Sequence, residues 1–395
     1  MTPPARIGLF GLLGSGNLGN DGSFEAVLGY LRTDHPDAAL SVMCGGPEIV
    51  ASRHGLETTA LNWYRGEYRT ASGPLSIAMK GFGKLVDIVR TMAWVRRQDA
   101  VIVPGMGVLE STLPLRPWGF PYSLLLLSAC GRLVGTKVAL VSVGANVSTQ
   151  RATRAIIGWA ARLAAFRSYR DEPSRDAMRE MGVDVTNDRV YPDLAFALPA
   201  PSEPVRPRSV GVGVMAYHGG NEDRARADEI YESYVDNITR FVAKLAGDGR
   251  PVRLFIGDQA DRQVVDEIMA KVGSPLIATA EMSTLDELLR EMSAVETVVA
   301  TRYHNVLCAL KLAKPTLGIG YARKNEVLMT TLGLGEFCQS AKEIDFEALV
   351  RQFAELESRA GELSEIVAKR GAEQARLLEE QFAVLSAAFL PMGVR

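Results

Sequence analysis

Arg302-Tyr303-His304 joins a guanidinium and an imidazole between an apolar strand-like run, Glu296 to Thr301, and a helix-like run, Asn305 to Ala313. A guanidinium presents a planar fork to carboxylate or phosphate, and an imidazole exchanges protons near neutral pH, so the pair suits an anion whose chemistry includes a proton transfer. A second strand-like run, Pro315 to Gly320, is followed by Tyr321-Ala322-Arg323-Lys324-Asn325. If the two runs are neighbouring parallel strands, both loops leave the sheet edge where open α/β sheets hold ligands. They then deliver Arg302, His304, Tyr321, Arg323 and Lys324 to one place. The other reading is structural, with Arg302 paired to a buried Asp and His304 capping a helix.

Three further turns carry candidate residues. The first apolar run, Ile7 to Leu13, leads into Gly14-Ser15-Gly16-Asn17-Leu18-Gly19-Asn20-Asp21, which fits the dinucleotide pattern G-x-G-x-x-G. Two details argue against a dinucleotide. The next strand-like run, Ala39 to Cys44, ends in Gly45-Gly46-Pro47 with no acid for a ribose, and Asp21 sits where a pyrophosphate needs positive potential. Asn17 and Asp21 suit hydrogen bonds to hydroxyl groups, with Asp21 as a plain helix cap the competing reading. After the run Ala100 to Val103, Gly105 and Gly107 open the backbone to a ligand. Arg170, in Ser168-Tyr169-Arg170-Asp171-Glu172-Pro173-Ser174, is either a ligand contact or a partner of Asp171 or Glu172, and Ser174 caps a helix over Arg175–Met181. His218, beyond the run Ser209 to Met215, is a further substrate-binding candidate.

The elements that must position these residues alternate. Strand-like and helix-like runs follow one another up to about residue 196 and again from residue 209, which argues for parallel sheets covered on both faces. Between them, Leu198-Pro-Ala-Pro-Ser-Glu-Pro-Val-Arg-Pro-Arg208 is too rich in proline for a strand or helix interior and marks a domain boundary. Thr284, followed by Asp286 and Glu287, reads as a helix N-cap with acids in the first turn. From Asp345 to about Leu390 the chain is dominated by Glu, Ala, Leu, Arg and Gln, and so forms a helical tail long enough to return to the first domain.

Composition limits the function classes. At 395 residues two domains are expected. A net charge of −2 gives no electrostatic footprint for nucleic acid. Cys44, Cys130, Cys308 and Cys338 form neither a zinc pattern nor a disulfide framework, which suits a reducing cytoplasm. The amino terminus lacks a signal-peptide pattern, and no run reaches the ~18 consecutive apolar residues of a spanning helix. Residues 77–97 are cationic and amphipathic. They read as a domain-packing helix, with peripheral contact to the inner face of a membrane as the other reading.

The chain resembles the polysaccharide pyruvyl transferase family over most of its length. The resemblance rests on Gly16-Asn17-Leu18-Gly19-Asn20-Asp21, the glycine turn at 104–110, Ser168-Tyr-Arg-Asp171 with Ser174 and Gly182-Val183, and Pro192-Asp193-Leu-Ala-Phe196. Above all it rests on residues 284–324, with Thr284-Leu-Asp-Glu-Leu-Leu289, Arg302-x-His304, Ala309-Leu310, Lys314-Pro315 and Tyr321-x-x-Lys324. It implies two Rossmann-like domains in a GT-B-like arrangement, residues 1–198 on the acceptor side and 209–344 on the phosphoenolpyruvate side, with 345–395 as the tail. It implies transfer of a pyruvyl group from phosphoenolpyruvate, as co-substrate without a further cofactor, to a sugar, glycolipid or polysaccharide precursor. The products are a cyclic ketal and phosphate. By the same resemblance Arg302 binds donor phosphate or carboxylate and His304 is the general acid, with Asp21 placed to assist as base. Asn20 stands where many members have Asp, and Met106 interrupts an expected triple glycine, so the acceptor side departs most from the family. The alternatives are a nucleotide-sugar glycosyltransferase, disfavoured because Glu326 has no acidic partner eight residues away, and a non-catalytic anion-binding module. An oligomer is compatible with the sequence.

Overall fold

The computed structural model describes residues 4–64, 74–111 and 117–388. The chain divides into two compact units. The first comprises residues up to Ser15, Ser23–Leu194 and the chain from Leu377; the second comprises Gly16–Gly22 and Ala195–Arg376.

In the first unit the chain runs through β1 (Arg6–Gly11), α1 (Leu18–Asp34), β2 (Ala39–Cys44), α2 (Pro47–His54), β3 (Glu57–Ala60), α3 (Pro74–Val95), β4 (Ala100–Pro104), α4 (Phe120–Val134), β5 (Lys137–Val143), α5 (Arg151–Leu163), β6 (Phe166–Tyr169), α6 (Glu172–Glu180) and β7 (Arg189–Val190). These strands form one seven-stranded parallel sheet in the order β3-β2-β1-β4-β5-β6-β7, which reverses direction between β1 and β4.

The second unit contains β8 (Val210–Gly213), α7 (Ala227–Gly247), β9 (Val252–Phe255), α8 (Arg262–Val272), β10 (Ile277–Thr279), α9 (Leu285–Ser293), β11 (Thr297–Ala300), α10 (Tyr303–Lys311), β12 (Thr316–Gly320), α11 (Arg323–Thr331), β13 (Cys338–Ser340), α12 (Phe346–Ser358) and the first part of α13 (Ala360–Ala388). Its six-stranded parallel sheet has the order β10-β9-β8-β11-β12-β13, reversing between β8 and β11.

The unbroken apolar runs become the central strands, because a parallel sheet is covered on both faces. Ala100 to Val103 and Val298 to Ala300 are fully buried. The expected strands Ala39–Cys44 and Lys137–Val143 form with those bounds. Thr284 caps α9 by accepting from the Glu287 amide, while Glu287 accepts from the Thr284 amide.

Three local expectations change, and the helical tail forms in two pieces. Helix α1 begins at Leu18, with Asn17 as its cap, because the Asn17 carboxamide oxygen accepts from the Asn20 amide at 3.1 Å; Asp21 lies inside the first turn. Helix α6 is capped by Asp171, which accepts from the Ser174 amide at 2.8 Å, while the Ser174 hydroxyl accepts from the Ala145 amide at 3.0 Å. The segment after Tyr321 is helical from Arg323, not a loop. The tail is two helices, α12 and α13, which meet at Arg359.

From Leu377 onward α13 belongs to the first unit, where buried polar contacts hold it. The fully buried Gln381 donates to Ser168 Oγ at 2.7 Å and accepts from Ser142 Oγ at 3.0 Å, while Ser168 Oγ also accepts from the Ser142 amide at 2.8 Å. The Phe382 ring stacks on Tyr30, with 4.3 Å between centroids. Gln381→Ala strands two buried hydroxyls and opens a small cavity, and should destabilise the first unit by about 2–4 kcal/mol. Chemical denaturation checks this; an unchanged midpoint would show that the serines find other partners at no cost.

Candidate functional site

Strand β11 pairs with β8 on one side and β12 on the other, so all three strands end at one edge of the second sheet. The place where strand order reverses is where such sheets leave room for a ligand. Thr301 leaves β11 with its amide held by Gly213 O at 2.9 Å and its hydroxyl 2.7 Å from the buried Tyr234 phenol, which also accepts from the Met215 amide. Burial pushes the Tyr234 pKa well above the usual phenol value, so it acts as a neutral hydrogen-bonding group.

Arg302 comes next, and its partner is Asp261, at the start of α8. Arg302 Nε lies 2.8 Å from Asp261 Oδ2 and Nη2 lies 2.6 Å from Oδ1, a bidentate pair in which the carboxylate is wholly buried. The same carboxylate accepts from the amides of Ala216, Gly257 and Asp258 at 2.9, 3.2 and 3.0 Å. Burial opposes the charge on Arg302, but the hydrogen bonds and charge of Asp261 outweigh it and hold the guanidinium above its ordinary pKa. A Cβ on Gly257 would lie 3.0 Å from Arg302 Cγ, so this glycine gives the arginine stem its path.

Arg302 is also the N-cap residue of α10, and it makes no side-chain cap hydrogen bond. Helix α11 starts in the same way after β12, at Ala322. Two helix N-termini without side-chain caps therefore lie side by side at one sheet edge, where their dipoles favour anions. His304 lies in the first turn of α10, while Arg323 and Lys324 open α11. Lys324 Nζ sits 5.7 Å from the Tyr303 ring centroid and 5.4 Å from that of Tyr321, within cation–π range of both. Arg323 is exposed.

The glycine turn after β1 contributes to this same unit. A Cβ at Gly19 would lie 2.0 Å from His304 Nδ1, so the imidazole rests directly on the first turn of α1. The spacing that imitates a dinucleotide motif is thus explained here by room for a histidine ring. Asn17, besides capping α1, donates to Asp258 Oδ2 at 3.3 Å, and Asp21 is buried in the same turn. His218 is exposed and stacks on Tyr231 of α7 at 4.6 Å; no hydrogen bond, ion pair or ring contact among the described residues joins it to Arg302 or His304.

Arg170, Gly105 and Gly107 lie in the first unit. Arg170 is buried against three carboxylates, contacting Glu110 closely and lying 3.5 Å from both Asp171 and Asp193. Its side chain is 3% exposed, which leaves it little surface to offer a ligand. Gly107 leaves room for Glu110 and Gly144 for both Glu110 and Arg170, since a Cβ at either glycine would fall within 2.7 Å of those side chains. Gly105 faces Ser23 in the same way and has φ +56°. Met106, which breaks the glycine run, retains a glycine-like backbone at φ 63° and buries its side chain beneath Gly11.

Asp258 and Asp261 escaped the sequence reading, as did Glu110 and Asp193 as partners of Arg170. Gly257-Asp258 follows β9, so the rule that singled out Arg302 could have found Asp258. Asp261 carries no such signal. Among the described residues no group of His, Cys, Asp and Glu is arranged to hold a metal ion.

Fold and site together define a two-domain, Rossmann-like α/β protein with an anion-favouring edge on its second sheet. Solved structures of the same fold include a UDP-GlcNAc 2-epimerase from Neisseria meningitidis bound to UDP-GlcNAc (TM-score 0.60, 11% identity, covering 96% of this chain and 99% of that one). Others are Acinetobacter baumannii MurG (0.56, 11%, 97% and 99%) and Anabaena Alr3699/HepE in complex with UDP-glucose (0.57, 11%, 97% and 100%). At such identities the likeness establishes the GT-B-like fold class alone. No curated protein sequence matches significantly. The polysaccharide pyruvyl transferase family model matches residues 17–323, and the chain belongs to that family.

The seating of His304 on Gly19 gives a paired expectation within one helix. Gly19→Ala must displace the imidazole or the turn and should cost about 1–3 kcal/mol, whereas Gly29→Ala, with nothing within 4 Å of the new methyl, should stabilise by up to about 1 kcal/mol. Urea denaturation of both variants checks it, and equal midpoints would refute the close approach.

Proposed function

We propose that this protein transfers the pyruvyl group of phosphoenolpyruvate to two hydroxyls of a sugar or glycoconjugate, forming a cyclic ketal and releasing phosphate. The observation that carries the reading is the pairing of two helix N-termini without side-chain caps on adjacent strands, with Arg302 and His304 on one and Arg323 and Lys324 on the other. Phosphoenolpyruvate carries a phosphate and a carboxylate on one carbon, and two neighbouring anion-favouring termini match that pair of charges.

In this reading Arg302, held rigid by Asp261, anchors one anionic group and Lys324 the other. Protonated His304 gives a proton to the methylene carbon, leaving positive charge at C2. The first hydroxyl adds to C2 and loses its proton; Asp21, in the α1 turn, is the proposed acceptor. Phosphate then departs with the C–O bond electrons, and the second hydroxyl closes the ring. Of the two hydroxyl protons, one replaces the proton delivered to carbon and one leaves with phosphate, so the sum balances.

Structural relatives solved with UDP-sugars make a nucleotide sugar the competing ligand. Phosphoenolpyruvate should raise the thermal midpoint, by the equivalent of about 2.7 kcal/mol at 100 times its dissociation constant, while UDP-sugars and NAD should leave it unmoved. The reverse pattern would favour a nucleotide-sugar enzyme.

Arg302→Ala should weaken phosphoenolpyruvate binding and turnover together. His304→Gln should leave binding nearly intact and lower phosphate release with a competent acceptor by about 10²–10⁴-fold. Near-normal turnover in His304→Gln would sink the acid assignment.

A further inference from the structure

Helix α3 is amphipathic in the reverse of the usual sense. Its polar Asp87 and Thr91 are buried with Trp94 and Val95, and the Asp87 carboxylate accepts from the Trp63 amide at 2.7 Å and from Arg90 at 3.3 Å. The opposite face is apolar and turned outward: Ile77, Leu85 and Val89 are 64%, 63% and 69% exposed, and Phe82 and Ile88 complete the stripe. Residues 77, 82, 85, 88 and 89 recur at helical spacing, so they form one continuous surface. The packing expected for this helix is present on its polar face, while the apolar stripe stays largely exposed, with Trp63 against Phe82 at one point.

What borders the stripe identifies its partner. Arg96 and Arg97 lie exposed just beyond its carboxyl end and Lys80 flanks it, while the helix's single acid, Asp87, points inward. Trp63, edge-on to Phe82 at 5.7 Å, and the exposed Trp118 beside Tyr122 add amphipathic aromatic rings. Lys84 turns its ammonium onto the Tyr122 ring, at 5.3 Å. A second copy docked symmetrically would set these cations against their own kind, whereas a bilayer surface carrying anionic lipid complements both stripe and cations. With a net charge of −2 the chain as a whole gives no attraction to anionic lipid, so the attraction proposed is that of this local patch. No helix of the described residues is long and apolar enough to cross a membrane, so the contact is one of lying on the surface.

We propose that α3 seats this protein on anionic membrane surfaces, with Ile77, Phe82, Leu85, Ile88 and Val89 entering the headgroup region and Arg96 and Arg97 meeting lipid phosphates. The inference stands apart from the transfer reaction.

The test uses flotation of the full chain with vesicles of phosphatidylcholine, with and without phosphatidylglycerol. Wild type should float with the anionic vesicles. The double substitution Leu85→Glu and Val89→Glu, at exposed positions, should lower the bound fraction about tenfold or more without changing the thermal midpoint. Arg96→Glu with Arg97→Glu should weaken binding to anionic vesicles alone. Vesicles should slow amide hydrogen exchange in wild type over residues 77–93. The proposal is overturned by failure of wild type to float, by equal flotation of the Leu85/Val89 variant, or by protection confined to another segment. A dimer that dissociates on the Leu85/Val89 substitution, without vesicle binding, would equally overturn it and assign the stripe to a second copy.

Discussion

The buried carboxylate of Asp261 is the constraint on which the sheet edge of the second unit depends. It gathers amides from the loops after β8 and β9 and the guanidinium after β11, so that three separate crossings end in one rigid hub. A carboxylate taken out of water without such partners costs far more than a fold can bear, and a bidentate arginine with three amides removes that cost. The consequence for function is order. Arg302 spends Nε and part of Nη2 on Asp261 and so holds one orientation, and a rigid anchor loses less entropy when an anion arrives.

Glycine serves closeness more than flexibility in this molecule. Gly19 admits the His304 ring, Gly257 the stem of Arg302, and Gly107 and Gly144 the Glu110–Arg170 contact. Each lies beside a side chain that a methyl group would strike. A pattern that elsewhere brings backbone to pyrophosphate here brings backbone to imidazole, because the steric requirement is the same whatever fills the space. Met106 shows the converse: its φ of 63° costs strain, and burial of its side chain under Gly11 offsets that cost.

The two halves of the proposed chemistry differ in how their charges are arranged. In the second unit cations stand at helix N-termini that lack side-chain caps, so the fields of side chain and helix add. In the first unit Arg170 is enclosed by Glu110, Asp171 and Asp193, so its charge is matched internally and its role is to hold the ends of β4 and β6 together. The proposed anion binding therefore rests on the second unit.

The sequence by itself determined the alternation of strand and helix, the central strands, the Thr284 cap and the placement of Arg302 and His304 at a strand end. These are local matters, written in runs of apolar residues and in the residues that stop them. Short elements such as β3, β7 and β13 lack enough residues to show a period, and packing alone defines them. Only the tertiary structure decided what each charge meets. Asp261 is forty-one residues from Arg302, and Glu110 is sixty from Arg170. The chain between each pair runs through two helices and an intervening strand, and its length says nothing about which carboxylate lands beside which guanidinium. The start of α1 is a local matter, set by the Asn17 cap, but the seating of His304 on Gly19 joins segments almost three hundred residues apart, and no local pattern records it.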